Sequence, residues 1–245
     1  MKYHWNWGIF FEQIKAGDET YLSWIITGLG WTVAVSLCAW IIALALGSLV
    51  GTVRTTPWRW AVRLGNAYVE FFRNVPLLVQ MLLWFFVAPE LLPEDLSLWV
   101  KQDMPAKEFF TATICLGLFT SARIAEQVRA GVQSLPRGQR LAGLALGFTL
   151  PQTYRHVILP MAFRIIIPPL TSEFMNVFKN SSVAFAIGVL ELTFQARQMQ
   201  EDSEQGIETY LVVTVLYFLC AFIANRGMNW IEKKTRVPGY IAAAK

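Results

Sequence analysis

The chain has 245 residues, of which 55% are hydrophobic and only 16% are charged. Average soluble domains carry about 25% charged residues, so a soluble fold of this length could not bury so much apolar side chain. The net charge of +4 therefore indicates basic loops beside a membrane and not a nucleic-acid-binding surface. No shift in composition divides the chain, and we predict one all-α integral membrane domain over residues 1–245.

Five apolar stretches are candidates for membrane spans, because about 20 apolar residues cross a bilayer core. They are residues 24–53, 64–88, 109–128, 161–190 and 209–231. Pro168-Pro169 and the polar run 179–182 are predicted to break the fourth stretch. That stretch is either one span followed by a short re-entrant or interfacial helix, or two imperfect spans.

The distribution of basic residues predicts the orientation of the chain. Twelve of the Lys and Arg residues lie in loops 54–63 and 129–156 and in the tail 226–245, whereas five lie on the other side. Lys and Arg accumulate on the cytoplasmic side of membrane proteins. We therefore expect the N-terminus outside, the C-terminus in the cytoplasm and an odd number of spans. No cleavable signal is visible, so the first span should direct its own insertion.

The predicted cytoplasmic loop 134–160 is too long for a simple turn. A turn at Pro136 and Gly138 should lead into a short helix over residues 139–146. Gly147 is then expected to end this helix in the left-handed conformation.

A second short helix should follow within the same loop. Thr149 can cap it, with Pro151 in its first turn. Pro160 either ends this helix or turns it into the next span.

The first short helix has two unusual stripes for a cytoplasmic segment. The apolar stripe consists of Leu141, Leu144 and Phe148. The stripe of small residues consists of Gly138, Ala142 and Ala145. A two-turn helix is not stable alone in water. It should either insert into a groove of another protein or pack on the inner surface of its own bundle.

This loop resembles the cytoplasmic signature of transmembrane subunits in bacterial binding-protein-dependent ABC importers. That signature reads Glu-Ala-Ala, three residues, Gly, nine residues, Ile, one residue and Leu-Pro. Leu141-Ala142-Gly143, Gly147, Val157 and Leu159-Pro160 occupy these positions, although Leu141 replaces the Glu and Gly143 the second Ala. The resemblance implies a coupling helix that docks into an ATPase subunit. The residues it assigns to coupling are Gly138, Gln139, Leu141, Ala142, Gly143, Ala145, Gly147, Leu159 and Pro160.

Other segments resemble the polar-amino-acid permeases of this family. They are residues 70–80, residues 129–139, and residues 179–182 ahead of Ile187-Gly188 and Glu191-Leu192. Residues 73–77 (Arg-Asn-Val-Pro-Leu) and 120–123 (Thr-Ser-Ala-Arg) are similar to the glutamate/aspartate type. The resemblance implies the ABC importer permease fold in a bacterial inner membrane.

The same resemblance implies a set of partners. They are a second, related permease subunit, two ATPase subunits that use ATP and magnesium, and a periplasmic amino-acid binding protein. This chain itself should bind no cofactor or metal and should not be an enzyme, because it contains no G-x-x-x-x-G-K-[ST] motif and only two histidines.

Ionisable groups at membrane depth cost about 2.5–3.5 kcal/mol each, which makes them candidates for a translocation path. Glu70–Arg73 and Arg123–Glu126 have the i,i+3 spacing of helical ion pairs. Arginine binds carboxylates in a bidentate manner, so Arg123 is the first candidate for contact with an acidic amino acid. The candidate path residues are Arg123, Glu126, Arg73, Gln80, Glu173, Asn176, Lys179, Asn180 and Ser181.

Three alternatives stay open at this stage. The substrate could be another polar amino acid, such as glutamine, histidine or arginine. An ion-gradient-driven transporter is less favoured, because no internal repeat is detectable. A membrane scaffold without transport would leave the short loop helix and Arg123 unexplained.

Overall fold

The computed structural model describes residues 3–15 and 17–235. Lys2, Arg236 and Lys245, which contributed to the predicted orientation, lie outside them. The described chain is helical apart from turns, short connections and one isolated bridge between Gln13 and Thr20. Its α-helices are α1 (Tyr21–Val53), α2 (Arg59–Asn74), α3 (Leu77–Leu82), α4 (Glu94–Leu98), α5 (Lys107–Ser134), α6 (Arg137–Ala145), α7 (Leu150–Thr153), α8 (Leu159–Ser181), α9 (Leu192–Ser203) and α10 (Gly206–Thr235).

Four helical segments are long and apolar enough to cross a membrane: Tyr21–Val53, Lys107–Ser134, Leu150–Ile187 and Gly206–Thr235. A fifth candidate is the pair Arg59–Asn74 and Leu77–Leu91, which is bent by 105°. The described residues thus hold four spans, or five if the bent pair counts as one. The all-α membrane fold predicted from composition is confirmed.

The second predicted span, residues 64–88, is not one straight helix. Val75 is extended (φ −96°, ψ 129°), and Pro76 precedes the first residue of α3. A residue before proline is sterically pushed out of the helical region, so the bend falls where the sequence requires it.

The fourth predicted span shows the opposite behaviour. We expected Pro168-Pro169 to break it, and this was wrong: α8 runs through both prolines. Neighbouring side chains bond to carbonyl groups in this part of the helix. The Thr171 hydroxyl donates to the carbonyl of Ile167 (3.1 Å), and the Gln127 amide donates to that of Pro169 (3.5 Å). α8 continues although Pro168 and Pro169 have no N–H groups to bond to the carbonyls of residues 164 and 165.

A tight helical turn, Ser182–Ile187, follows α8, and Gly188 with φ of 90° redirects the chain toward α9. Of the two arrangements considered for the fourth stretch, the structure therefore has one long span followed by a short separate helix.

The described residues form two compact units. The first unit consists of residues 3–15 and 17–39, Pro76–Leu116 and Asn176–Phe222. Its apolar core includes Ile25, Leu192 and Met199. The second unit consists of Trp40–Val75, Gly117–Met175 and residues 223–235.

Small residues bring α1 close to α5 within the second unit. A Cβ atom on Gly47 would lie 2.7 Å from Ile124 Cβ and 2.7 Å from the Ser121 carbonyl oxygen. One on Gly51 would lie 2.7 Å from the Ala125 carbonyl oxygen. This Gly-x-x-x-Gly spacing is typical of helices whose backbones touch in membranes. It fixes the position of α5, which carries the charged groups described next.

Candidate functional site

Arg123 lies on α5 in the second unit and faces a carboxylate from α8. Its Nη1 is 3.8 Å from Glu173 Oε2, and its guanidinium lies 5.1 Å from the centroid of the Phe119 ring. The Arg123 side chain is 42% exposed, whereas that of Glu173 is 12% exposed. The Arg123–Glu173 separation exceeds hydrogen-bond length, so the guanidinium keeps N–H groups that could donate to a second carboxylate.

The two i,i+3 pairs expected from the sequence do not form within the described residues. Arg73 and Arg123 face carboxylates on other helices, while Glu126 has an i,i+3 partner in Arg129 on α5. Glu126 accepts a hydrogen bond from Arg54 at 2.7 Å and lies 3.6 Å from Arg73 and 3.7 Å from Arg129. Arg123 pairs with Glu173, not with Glu126. Pairing across helices overrides the local spacing because each arginine can reach a neighbouring helix.

Arg54 is the residue that the sequence analysis missed at this site. Charge counting treated it as a loop residue, but its side chain is only 4% exposed. A signal was present: Arg54 directly follows the 33 residues of α1, where an arginine can fold back against neighbouring helices. Arg129 was likewise treated as a topogenic charge, although it lies one turn after Glu126 on α5.

The remaining candidate path residues lie in the first unit. Gln80 is buried on α3, and Ser181 is buried and donates to the Phe178 carbonyl at 2.7 Å. Asn176 and Asn180 are half-buried and Lys179 is exposed, all three on α8. Glu173, Asn176 and Asn180 share one face of that helix by their spacing of three and four.

The loop between α5 and α8 matches its sequence-based prediction in detail. The helix expected over residues 139–146 is α6, and Gly147 has φ of 85° in the left-handed region. Thr149 forms a capping box with Gln152, and Pro151 lies in the first turn of α7. Pro160 lies in the first turn of α8, so it leads the chain into the next span. These features are confirmed because each depends on local backbone chemistry.

α6 packs on α7 through one face only. A Cβ atom on Gly143 would lie 2.8 Å from Thr153 Cγ2, so this contact requires glycine. The apolar side chains on the other faces are exposed: Leu141 (60%), Leu144 (41%), Leu146 (78%) and Phe148 (38%).

The other residues assigned to coupling surround this surface. Gly138, Ala142, Ala145, Gly147 and Pro160 are exposed, and Gln139 and Leu159 are half-buried.

A fully buried carboxylate, Glu191, lies in the first unit. It caps α9 by accepting from the backbone N–H groups of Thr193 (3.0 Å) and Phe194 (2.9 Å), and it also accepts from the Tyr217 hydroxyl. Burial raises the pKa of the Glu191 carboxyl above its usual value, although these hydrogen bonds oppose the shift. This arrangement joins α9 to α10. Within the described residues, no three His, Cys, Asp or Glu side chains are grouped to hold a metal ion.

Comparisons with known proteins bear on the whole chain. The family model for the binding-protein-dependent transport system inner membrane component matches residues 43–237. The glutamate/aspartate import permease protein GltJ of Escherichia coli strains K12 and O6:H1 is 49% identical, over 98% of each chain. The glutamate/aspartate import permease protein GltK of strain O6:H1 is 29% identical, over 87% of this chain and 94% of GltK.

A solved structure is also similar. The crystal structure of an amino acid ABC transporter with histidines aligns with a TM-score of 0.74 and 28% identity. The alignment covers 87% of this chain and 95% of that one. The permease fold expected from the loop signature is therefore confirmed, and the resemblance noted in the sequence holds over nearly the full length.

Proposed function

Since this chain belongs to the binding-protein-dependent transport system inner membrane component family, we propose that it forms the path for an acidic amino acid in an ATP-driven importer. Family membership makes it a permease subunit of a multi-pass transport system. Beyond family membership, we propose the substrate, the partner subunits and the residues that line the path. The observation that carries it is the 49% identity to GltJ across 98% of both chains.

Arg123 supports the choice of an acidic substrate. An acidic amino acid brings a second carboxylate, and the half-exposed Arg123 is loosely held by Glu173 at 3.8 Å. A substrate carboxylate can form shorter bidentate contacts with the guanidinium and displace Glu173. The released Glu173 carboxylate can then face the substrate ammonium group. Exchange of one ion pair for another avoids leaving a buried charge unpaired.

The remaining candidate path residues could extend a polar route along the chain. Glu126 and Arg73 are already engaged in an ion-pair cluster, so we assign them to positioning rather than to direct contact. Gln80, Asn176 and Asn180 offer amide groups, Ser181 a hydroxyl and Lys179 an exposed ammonium.

The test is uptake by the reconstituted importer, which contains this chain, a second permease subunit, the ATPase subunits and the binding protein. Arg123→Ala should reduce ATP-dependent glutamate uptake by more than about 100-fold, the loss expected when a charged partner is removed from a desolvated carboxylate. Arg123→Lys should restore part of it, because the charge remains and the planar fork is lost.

The matched control for this test is Arg164→Ala, which removes an exposed arginine from α8. Normal uptake by Arg123→Ala would remove this residue from the path. Stimulation of ATP hydrolysis by binding protein loaded with glutamine or histidine, and not with glutamate, would overturn the substrate.

α6 is the part of the chain we assign to ATPase coupling. The exposure of Leu141, Leu144 and Phe148 favours docking into another protein over packing on the chain's own bundle. An apolar helix face left in water is unfavourable, and a groove in an ATPase subunit would bury it. ATP-driven closure of two such subunits could then move α6 and the helices attached to it.

Leu144→Asp tests this assignment, because Leu144 is exposed and the substitution should leave the fold intact. We expect loss of co-purification with the ATPase subunits. Leu96→Asp is the matched control, since Leu96 on α4 has a similar exposure in a different loop. Retained ATPase binding in Leu144→Asp would contradict the assignment.

The partner set and the orientation follow from the same proposal. GltJ and GltK of one E. coli strain are both glutamate/aspartate import permease proteins, which supports pairing of this chain with a second, related permease. The orientation with the N-terminus outside the inner membrane would place α6 beside cytoplasmic ATPases. Labelling of a cysteine placed at residue 144 from outside intact cells would contradict it.

A further inference from the structure

A cavity of about 550 Å³ in the second unit lies beside α6, and Gln139, one of the residues assigned to coupling, forms part of its wall. Its wall includes Arg54 and Thr55 after α1, Arg137 and Arg140 from α6, and Tyr154. The Tyr154 hydroxyl donates to the Thr55 carbonyl at 2.7 Å, which ties the loop to the end of α1. Three arginines therefore line one open cleft.

Arg54 is buried with an incomplete set of partners. Its Nε donates to Asn66 Oδ1 at 2.8 Å, and its Nη2 donates to Glu126 Oε1 at 2.7 Å. Its Nη1 is buried without a hydrogen-bond partner among the described residues. An unsatisfied N–H of a charged group is costly inside a protein, so a missing acceptor is expected at this position.

The local excess of positive charge also favours an anion. Glu126 is the shared counter-charge of Arg54, Arg73 and Arg129, which leaves two positive charges uncompensated in this cluster. At the cavity, Arg137 and Arg140 add two more and have no ion-pair partner within residues 3–15 and 17–235.

We propose that this cavity binds the phosphate group of an anionic phospholipid. A phosphate has several acceptor oxygens and can bond to more than one guanidinium at once, which a single carboxylate does less well. Arg54, whose side chain lines the cavity, would move so that its Nη1 donates to one oxygen, and the exposed Arg137 and Arg140 would bond to the others.

The position of the cavity favours a lipid over phosphate from solution. Arg54 directly follows a spanning helix, and basic pockets at such boundaries bind head groups. Trp58 and Trp60 are exposed just after it, and tryptophans concentrate at the level of lipid head groups.

A place for an acyl chain lies close by. An apolar groove of about 400 Å³ is lined by side chains of α1 and α2, among them Val53, Leu64 and Gly65. The Arg54 stem packs on that same Gly65, where an added Cβ would lie 2.7 Å from Arg54 Cγ. The groove therefore adjoins the residue that would hold the phosphate.

The test is lipid binding to the whole purified importer in detergent, followed by native mass spectrometry. Phosphatidylglycerol should bind and phosphatidylcholine should not. Arg137→Gln/Arg140→Gln should weaken phosphatidylglycerol binding about tenfold or more, because each arginine near an anionic lipid contributes substantially. The matched control is Arg155→Gln/Arg164→Gln, which removes two exposed arginines outside the cavity and should bind like the unsubstituted protein.

Two further measurements distinguish a lipid from free phosphate and test the role of Arg54. Inorganic phosphate is titrated against bound phosphatidylglycerol, and complete displacement at equal concentration would overturn a lipid as the source. Arg54→Lys keeps the charge but lacks the Nη1 donor, so it should weaken binding even in the presence of Arg137 and Arg140. Equal phosphatidylglycerol binding by the unsubstituted protein and Arg137→Gln/Arg140→Gln would overturn the proposal. None of these readouts depends on the transported amino acid.

Discussion

Glu191 in the first unit and Glu126 in the second unit each have three polar or charged partners, but the partners differ in kind. Glu191 is fully buried and accepts from the Tyr217 hydroxyl and two backbone N–H groups. The first unit repeats this pattern at Glu208, which is also fully buried and accepts from the Tyr3 hydroxyl and the backbone of Asn6. Glu126 instead faces three arginines.

The kind of donor decides whether a carboxylate is held in one geometry or can give up its partner to a ligand. Hydroxyl and backbone donors hold a carboxylate in one geometry and offer nothing to a charged substrate. Arginine partners attract any anion that reaches them, so an ion pair such as Arg123–Glu173 can be replaced by a pair with a ligand. The ion pairs with a largely buried member, Arg54–Glu126 and Arg123–Glu173, lie in the second unit, whereas the pairs Lys101–Glu90 and Arg197–Glu201 of the first unit are more exposed.

The largest effect should come from removing the shared counter-charge. Glu126→Gln would leave the buried Arg54 without a charged partner beside Arg73 and Arg129. Breaking a buried ion pair on one side costs about 3–5 kcal/mol, and we expect the lower end because Glu126 is 30% exposed. The measurement is the apparent unfolding temperature of the purified chain in detergent.

Glu70→Gln is the control for this prediction, since Glu70 is exposed on α2. Adding Arg54→Gln to Glu126→Gln should recover part of the loss, because the unpaired charge is then removed. If Glu126→Gln melted like Glu70→Gln, the cluster would not stabilise the second unit.

The next effect concerns packing in the second unit. Gly47→Ala would put a Cβ 2.7 Å from Ile124 Cβ and the Ser121 carbonyl, so α1 must move away from α5. Overpacking of this kind costs about 2 kcal/mol. Gly30→Ala on the same helix is the control: nothing lies within 4 Å of its added Cβ, and it should be neutral or slightly stabilising. Equal unfolding temperatures for the two variants would show that α1 and α5 are not closely packed.

The success of the sequence analysis depended on how local the determining interaction is. The left-handed Gly147, the Thr149 cap and the bend before Pro76 were predictable, because each follows from backbone sterics within a few residues. The continuity of α8 through Pro168-Pro169 was not, because the local rule for a proline inside a helix favours a break.

The candidate site shows the same limit. The residue types were predictable, since arginines and glutamates at membrane depth require partners. Their pairing was not, because i,i+3 spacing favoured Arg123–Glu126 while the packing of α5 on α8 and α1 gave Arg123–Glu173 and Arg54–Glu126. Arg54 could not be recognised as buried until α1 and α2 were placed side by side.

An effect of similar size is expected at Glu191, and it should depend on the substituted group. Glu191→Ala removes a helix cap and leaves the Tyr217 hydroxyl without its acceptor, at a cost of about 2 kcal/mol. Glu191→Gln keeps one acceptor oxygen but turns its NH2 toward one backbone N–H, so it should cost about 1 kcal/mol, less than Glu191→Ala. Unfolding temperatures of both variants give the comparison. A Glu191→Gln loss as large as that of Glu126→Gln would show that the charge, and not the hydrogen bonds, matters in the first unit.

The smallest effect is a difference in pH dependence within the first unit. The Tyr21 hydroxyl donates to Asp202 at 2.5 Å, and this hydrogen bond lowers the pKa of the Asp202 carboxyl below its usual 3.8. Its stabilising contribution is complete above pH 3.8 and is lost as the pH falls through the lowered value.

Burial raises the pKa of Glu191 above 4.5, so its contribution is complete below pH 4.5 and declines as the pH rises through the raised value. The stability difference between the unsubstituted chain and Asp202→Asn should therefore shrink toward low pH, and that for Glu191→Gln should shrink toward neutral pH. Unfolding temperatures across both pH windows measure these slopes, and slopes of the same sign would mean that hydrogen bonding, not burial, controls both carboxyls.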